Sequence, residues 1–349
     1  MTHVGIDLHK LGSQICVIDE AGEVLAETRV MTRRDALEQA LAPWPGSQVL
    51  VEACNESEWV ARHLEGCGYA VVVADPNYTP MYGHRHTGYK TDRRDARALA
   101  SASAQGLYRR AHRTSEARRV VRAELVTRDA LVRTRSRYIS VIRSRLRAEG
   151  WRLRSGDAAS FVARVGELAL EPQLLAHLQP LLQVMALVNQ AIATADRALE
   201  RRAQADPVVQ RLRSLPQVGP ITALAFVAAL DDVRRFRNAH QVESYLGLVP
   251  RERSSGEHQV RGRITKTGDK RVRWLLVECA WGILRSHQVS LETLQQWTAR
   301  VGTRRGRTVA AVALARRLAG ILYAMWRDDV PYDPKKLQHP HGLAQGARA

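Results

Sequence analysis

The sequence predicts an α/β unit followed by all-α architecture. Three observations carry that expectation. Strand-like and helical runs alternate through the first third. Apolar residues recur at helical spacing through an arginine-rich middle. The last third holds apolar helical runs broken by Pro/Gly turns. In the first third, Val4–Leu8 is a short apolar run. Gln14–Asp19 and Glu23–Val30 follow, joined by Glu20-Ala21-Gly22, a hairpin signal. Three strands in quick succession imply an antiparallel meander. Arg33–Leu41 then has helical spacing and ends before Pro43. Gln48–Val51 is strand-like and runs into Glu52. Glu56–Leu64 is helical, and Tyr69–Ala74 is a fully apolar strand ended by Pro76. After a loop rich in His, Gly and Tyr, Thr91–Ala104 reads as a helix. The order β-β-β-α-β-α-β-α suggests a mixed sheet with helices on its faces.

From Arg109 to Arg154 the chain holds 15 Arg against 4 Asp or Glu, more than half of its whole charge excess. Val121, Leu125, Val132, Tyr138, Ile139, Ile142 and Leu146 keep helical spacing there. Long amphipathic helices with one very basic face are expected. A second helical stretch, about residues 174–203, has ordinary charge, and the two can form an antiparallel arm. Near Pro207 the character changes again. Leu215-Pro216-Gln217-Val218-Gly219-Pro220 is a tight turn leading into the apolar helix Ile221–Leu230. Helices at about 238–246 and 269–287 flank a basic loop, 250–268. The expected domains are therefore 1–108 (α/β), 109–206 (basic helical or coiled-coil arm), 207–330 (helical, with the serine loop) and a flexible tail, 331–349.

Composition narrows the function. The 349 residues are 45% apolar, enough for real cores, yet 53 Lys and Arg face 35 Asp and Glu, a net charge of +18. Such a chain suits polyanions better than small metabolites. No uncharged apolar run of about 18 residues is present and the start has no signal-peptide layout, which disfavours a membrane. Cys16, Cys54, Cys67 and Cys279 lack CxxC spacing and sit in apolar sequence. That argues against a disulfide framework or a zinc site and fits a reducing cytosol.

Four acids stand out. Asp7 sits within the apolar run VGIDLHK, and Glu52 ends QVLVE in the same way. Asp92 and Asp95, in KTDRRDA, are three apart and share one helix face. Each alone has a structural explanation: a strand-end backbone bond, or an acid favoured at a helix N-terminus. Together they say more. If the first strand is central and pairs with the strand ending in Glu52, a crossing helix can bring all four carboxylates to one spot. They would then hold protons at neutral pH unless cations joined them. Mg²⁺ is the natural choice, and two such ions about 3.5–4 Å apart can clamp an in-line phosphoryl displacement. The element order with these acids resembles the RNase H-like fold, in its RuvC-like branch.

Downstream, LPQVGPITA resembles half of a helix-hairpin-helix element, whose N–H groups suit a phosphate; an ordinary helix–helix turn is the alternative. In GLVPRERSSGEHQVRGRITKTGDKRVRW, Arg251, Arg253, Arg261, Arg263, Lys266, Lys270, Arg271 and Arg273 surround Ser254 and Ser255. The plain view is a basic loop that holds a nucleic-acid backbone by charge. The sharper view makes a serine the nucleophile, with arginines stabilising developing phosphate charge.

VGIDLHK, VEACNESEW, KTDRRDA and LPQVGP…YLGLVPRERSSG…ITKTGDKRVR, in this order and spacing, resemble the DEDD-type transposases of bacterial insertion sequences (insertion-sequence family one-ten). The resemblance covers residues 1 to about 290. It implies that Asp7, Glu52, Asp92 and Asp95 bind Mg²⁺. It implies that Ser255, directly before Gly256, becomes joined to a cleaved DNA strand, with Ser254 as the competing candidate. It also implies a bridge RNA that pairs with donor and target DNA. The residues themselves show only that a large polyanion is expected.

Of the remaining candidates, His84 and His86, beside Tyr82 and Tyr89, suit phosphate or RNA contact, or no role, better than metal ligation. Lys90 is either a DNA-phosphate contact or a surface lysine. Six of the seven Trp fall to core packing, and Trp151 in the arginine-rich stretch is a stacking candidate. The expected protein is a cytoplasmic, nucleoid-associated DNA recombinase. It acts as a homo-oligomer, a dimer or tetramer, because two duplexes must be held at once. The rivals are a RuvC-like junction-resolving nuclease that hydrolyses with water, and a non-enzymatic nucleic-acid-binding protein.

Overall fold

The computed structural model describes residues 1–82, 91–255 and 258–337, and for 82, 253–255 and 258–261 the backbone alone. His84, His86, Tyr89, Lys90, Gly256 and the tail beyond residue 337 lie outside the described residues. The chain forms two compact units, Met1–Thr114 and Ser115–Ala349.

The first unit is built on a five-stranded sheet of order β3-β2-β1-β4-β5. Strands β1 (His3–Asp7), β2 (Gly12–Ile18) and β3 (Val24–Met31) form the expected antiparallel meander. Gly22, at φ +88°, turns its second corner. Strands β4 (Gln48–Glu52) and β5 (Ala70–Ala74) join parallel to β1. Helices α1 (Arg34–Leu41) and α2 (Ser57–Gly66) cover one face, burying Leu37, Leu41, Val60, Ala61 and Leu64 against Val4, Ile6, Val49 and Val51. Helix α3 (Asp92–Gln105) covers the other, where Leu99 and Ala102 meet Leu50 and Val72. The segment after α3 protects the β5 edge: Ala111 N–H donates to the Val73 carbonyl and Asp75 N–H to that of Arg109.

The second unit begins with α4 (Glu116–Ala148), about 50 Å of helix at 1.5 Å per residue. A short α5 (Phe161–Gly166) leads into α6 (Pro172–Ala205), which returns antiparallel. At the root of this arm, Val121 and Leu125 pack with Leu199 and Ala203 into the main core. At its far end, Ile142, Leu146, Phe161, Leu178 and Met185 make a separate small core. Trp151 is half-buried against that core, so it packs the arm rather than standing free to stack on a base.

After α7 (Pro207–Leu212) comes α8 (Pro220–Leu230), in which Thr222 to Leu230 are all buried. A helix apolar on every side is a central core helix. Helices α9 (Ala239–Tyr245), α10 (Lys270–Arg285), α11 (Glu292–Arg305) and α12 (Arg307–Arg327) complete the unit. The last two were not legible beforehand. Among the described helices, α12 alone is long and apolar enough to cross a membrane. Here it is core: Leu314, Ala315, Leu318 and Leu322 are fully buried, and the Tyr323 hydroxyl donates to the Phe236 carbonyl at 2.8 Å.

Four expectations are corrected. The basic loop 250–268 is a two-stranded hairpin, β6 (Pro250–Ser255) and β7 (His258–Ile264). The chain after Pro331 is anchored at first, because the Tyr332 hydroxyl donates to the Ser290 carbonyl at 3.0 Å and its N–H to Ser214 Oγ. Trp274 is exposed rather than core. Cys54 and Cys67 are exposed, leaving only Cys16 and Cys279 buried.

Candidate active site

Strand alternation decides which side chains meet. Along β1, Val4 and Ile6 enter the core under α1 and α2, so Gly5 and Asp7 face α3. Along β4, Val49 and Val51 face α1 and α2 while Leu50 packs under α3, which puts Glu52 on Asp7's side. The parallel register pairs Ile6 with Val51. Asp7 and Glu52 therefore end the two central strands at the same level, at the carboxyl edge where open sheets bind ligands.

Helix α3 delivers the other two acids. Thr91 is extended and caps the helix, its Oγ1 accepting from Arg94 N–H at 3.3 Å. Asp92 and Asp95 fall in the first turn. The helix lies close on β1 because residue 5 is glycine: a Cβ there would stand 2.2 Å from the Ala96 carbonyl oxygen and 2.3 Å from the Ala100 nitrogen. Ala96 and Ala100 meet buried Cys16 and Ile18 across the same contact. On the outer side, Glu27 of β3 grips α3. Its carboxylate accepts from Arg93 Nε at 2.5 Å and Arg97 Nη2 at 2.8 Å. Hydrogen bonds from Arg97 and Arg93 hold that carboxyl down at a pKa of about 2.

The result is a cluster. His9, two residues beyond Asp7, places Nε2 3.2 Å from Asp7 Oδ2 and 3.4 Å from Asp92 Oδ1. Ligand atoms of Asp7, His9 and Asp92 all lie within 4.8 Å of one another. Burial raises the Asp7 carboxyl above its ordinary range; His9 opposes this, while the charges of Asp95 and Asp92 add to it. His9 thus bridges Asp7 and Asp92, Asp95 is near enough for its charge to act on Asp7, and Glu52 stands at the adjacent strand end. The Asp7 side chain is 16% exposed and that of Asp92 49%, so the cluster opens to solvent on the α3 side. Carboxylate oxygens that are partly exposed fit a hard divalent cation that keeps water ligands, and one imidazole nitrogen is compatible with it.

Three contributors escaped the sequence reading. His9 had a signal, since it stands next but one to Asp7 in VGIDLHK. Gly5 and Glu27 had none, because their partners lie 66 to 95 residues away along the chain.

In the second unit, Ser255 ends β6 and pairs with His258, and Ser254 pairs with Gln259. Both serines therefore flank the hairpin tip. The base is fixed by two glycines in the left-handed region. A Cβ on Gly247 would meet the Thr267 carbonyl oxygen at 2.1 Å, and one on Gly268 that of Tyr245 at 2.0 Å. Asp269 then caps α10, accepting from Arg271 N–H at 2.8 Å and Val272 N–H at 3.0 Å. Arg251, Arg263, Lys266 and Lys270 are exposed. The side chains of Arg253 and Arg261, and all of Lys90, lie outside the described residues. Arg271, expected among the nucleic-acid contacts, instead turns inward: its Nε donates to Asp129 of α4 at 2.6 Å, with both side chains under 20% exposed.

The arginines of α4 divide in the same way. Arg122 donates to the Ala228 and Ala229 carbonyls at the end of α8, Arg118 pairs with Asp206 and Arg128 with Asp196. Arg133, Arg137, Arg145 and Arg147 are exposed.

Two family models match the chain. One, the DEDD transposase of IS110 type, matches residues 4–149, which contain all four acids. The other, the transposase family IS116/IS110/IS902, matches residues 209–295, which contain the serine hairpin. The chain is 30% identical to the transposase for insertion sequence element IS1111A of Coxiella burnetii, over 92% of this chain and 88% of that one. It is 30% identical to a probable family 20 transposase of Pseudomonas aeruginosa, over 96% and 99%. It is 29% identical to the transposase for element IS1328 of Yersinia enterocolitica, over 93% and 96%.

Proposed function

The chain belongs to the IS110/IS116 family of insertion-sequence transposases, and from that premise we propose that it recombines DNA through a serine–DNA phosphodiester. The observation that carries the reading is that ligand atoms of Asp7, His9 and Asp92 lie within 4.8 Å of one another, with the charge of Asp95 acting on Asp7. Acids gathered this closely on a half-buried sheet edge repel one another unless a cation joins them.

In this reading the first unit is an RNase H-like domain of the RuvC-like type, and Asp7, Glu52, Asp92 and Asp95 hold Mg²⁺. Mg²⁺ bound there supplies electrostatic stabilisation of the charge that develops on a phosphate in displacement. His9 spaces Asp7 from Asp92. Ser255 is the nucleophile, with Ser254 as the competitor. Its oxygen attacks a backbone phosphorus, the bond to the 3′ oxygen breaks, and the 5′ phosphate stays esterified to the serine. The hydroxyl proton lost by the serine is balanced by the one that the departing 3′ oxygen takes up. A 3′-hydroxyl of the partner strand then attacks the phosphoserine and frees the side chain, so bond energy is conserved and no nucleotide cofactor is needed.

Arg251, Arg263, Lys266 and Lys270, with Lys90, Arg253 and Arg261, neutralise backbone phosphates in this reading. The turn before α8 serves as half of a helix-hairpin-helix. Residues 109–206 act as the basic arm, and 207–330 as the transposase domain. Donor and target DNA, a bridge RNA, a dimer or tetramer and a nucleoid-associated cytoplasmic site belong to the same proposal, supported by a net charge of +18.

The test uses purified protein, Mg²⁺, DNA carrying the element's junctions, and RNA transcribed from the DNA flanking the gene. Denaturing gels should reveal a protein–DNA adduct that Ser255→Ala abolishes and Ser254→Ala keeps. Asp7→Asn should abolish all strand scission. Free 5′ phosphates without an adduct would instead assign a hydrolytic nuclease.

A further inference from the structure

A second cluster of ligating side chains lies on the opposite face of the sheet from Asp7. Glu38 stands on α1, and His63 and Cys67 stand at the end of α2. The spacing of His63 and Cys67, four residues, puts both on one helix face. Glu38 Oε1 lies 3.1 Å from His63 Nε2 and 3.5 Å from Cys67 Sγ, and the three donor atoms fall within 4.8 Å of one another.

We propose that Glu38, His63 and Cys67 form a binding site for a zinc-class divalent ion that clips α1 to α2. The distances support it. With Zn–O and Zn–N bonds of about 2.0–2.1 Å and Zn–S of about 2.3 Å, a tetrahedron has an O···N edge near 3.3 Å and an O···S edge near 3.5 Å. The Glu38–Cys67 separation of 3.5 Å matches the O···S edge, and the Glu38–His63 separation of 3.1 Å is close to the O···N edge. A thiolate, an imidazole and a carboxylate select zinc over magnesium, which sets this site apart from the oxygen-rich cluster at Asp7. The pattern differs from CxxC, because the ligands come from two helices and the pair at the end of α2 has helical spacing.

Three protein donors leave the fourth position to solvent. In the metal-free protein the Cys67 Sγ–H donates to Glu38 Oε1 at 3.5 Å, so the thiol carries a proton there. Binding must release that proton to solvent as the S–metal bond forms. His63 Nε2 also lies 3.3 Å from the Arg34 carbonyl oxygen. To ligate, the ring must carry its proton on Nδ1.

Cobalt(II) titration of the full-length protein tests the site, since thiolate-to-cobalt charge transfer reports a Co–S bond directly. The absorption should saturate at one equivalent. It should disappear in Cys67→Ser, weaken in His63→Ala and Glu38→Ala, and persist in Cys54→Ser and Asp7→Asn. A second measurement needs no variant: zinc should slow maleimide alkylation of Cys67 by about tenfold or more, leaving exposed Cys54 unaffected. A cobalt band that survives Cys67→Ser, no band at all, or a Cys67 alkylation rate unchanged by zinc would overturn the proposal.

Discussion

Gly5 sets how near the acid-bearing helix comes to the first strand. A methyl group there meets helix backbone at 2.2–2.3 Å, and backbone in a hydrogen-bonded helix has nowhere to yield except by moving as a whole. Gly5→Ala should lower stability by about 1–3 kcal/mol, read from urea unfolding, and should abolish strand scission by shifting Asp92 and Asp95 away from Asp7. Gly12→Ala is the control: its nearest neighbour, Arg29 Nε, stands at 3.5 Å, so both readouts should be almost unchanged. Asp7 makes the opposite kind of prediction. Its carboxylate is desolvated and faces two further acids, so in the absence of metal the ionised form strains the fold. Asp7→Asn should therefore melt at the same temperature as the parent or higher in chelator. Mg²⁺ should raise the melting temperature of the parent and leave that of the variant unmoved. A variant that melts lower in chelator would show that Asp7 is structural.

At the scale of elements, the grip of β3 on α3 keeps the acids in register. Glu27 is nearly buried between Arg93 and Arg97, and both guanidinium groups keep one side in water. Its carboxyl is held near 2 against an ordinary 4.5. A depressed carboxylate stabilises the fold fully above its unfolded value and loses that contribution as pH falls through the folded one. Glu27→Gln should thus be less stable than the parent by about 1–2 kcal/mol above pH 4.5, with the gap closing toward pH 2. Equal stabilities at neutral pH would remove Glu27 from the clamp. This clamp also marks where sequence reading stops. The succession of strands and the mixed sheet were legible because β1, β4 and β5 are apolar runs between turn signals, and Asp7 and Glu52 stood out because they interrupt or end such runs. The basic hairpin was not: PRERSS and HQVRGRI carry too few apolar residues to show alternation, and their pairing rests on Gly247 and Gly268 at the base. Helix α12 hid for the opposite reason, since Arg316 and Arg317 interrupt its apolar run while its fully buried face lies against helices distant in sequence.

Over the whole molecule, charge is divided as sharply as fold. Residues 1–114 hold 13 Lys and Arg against 14 Asp and Glu, so the remaining 40 against 21 carry the entire positive excess. The unit with the acid cluster has almost no net charge to attract a polyanion, and the unit with the arm and hairpin has all of it. Affinity for nucleic acid should therefore reside in the second unit, and it should reside in particular arginines. Arg122 is held by the α8 carbonyls, so its removal should loosen the fold. Arg133, Arg137 and Arg145 are exposed, so their removal should weaken binding alone. Each phosphate neutralised on duplex DNA adds about 0.9 to the slope of log affinity against log salt. Replacing Arg133, Arg137 and Arg145 together by Gln should flatten that slope by up to about 2.7 with unfolding unchanged. Arg122→Gln should lower unfolding stability and leave the slope nearly as it was. A triple variant with the parent's slope would move the polyanion site off the arm and onto the hairpin, where Arg251, Arg263 and Lys266 remain exposed to take it.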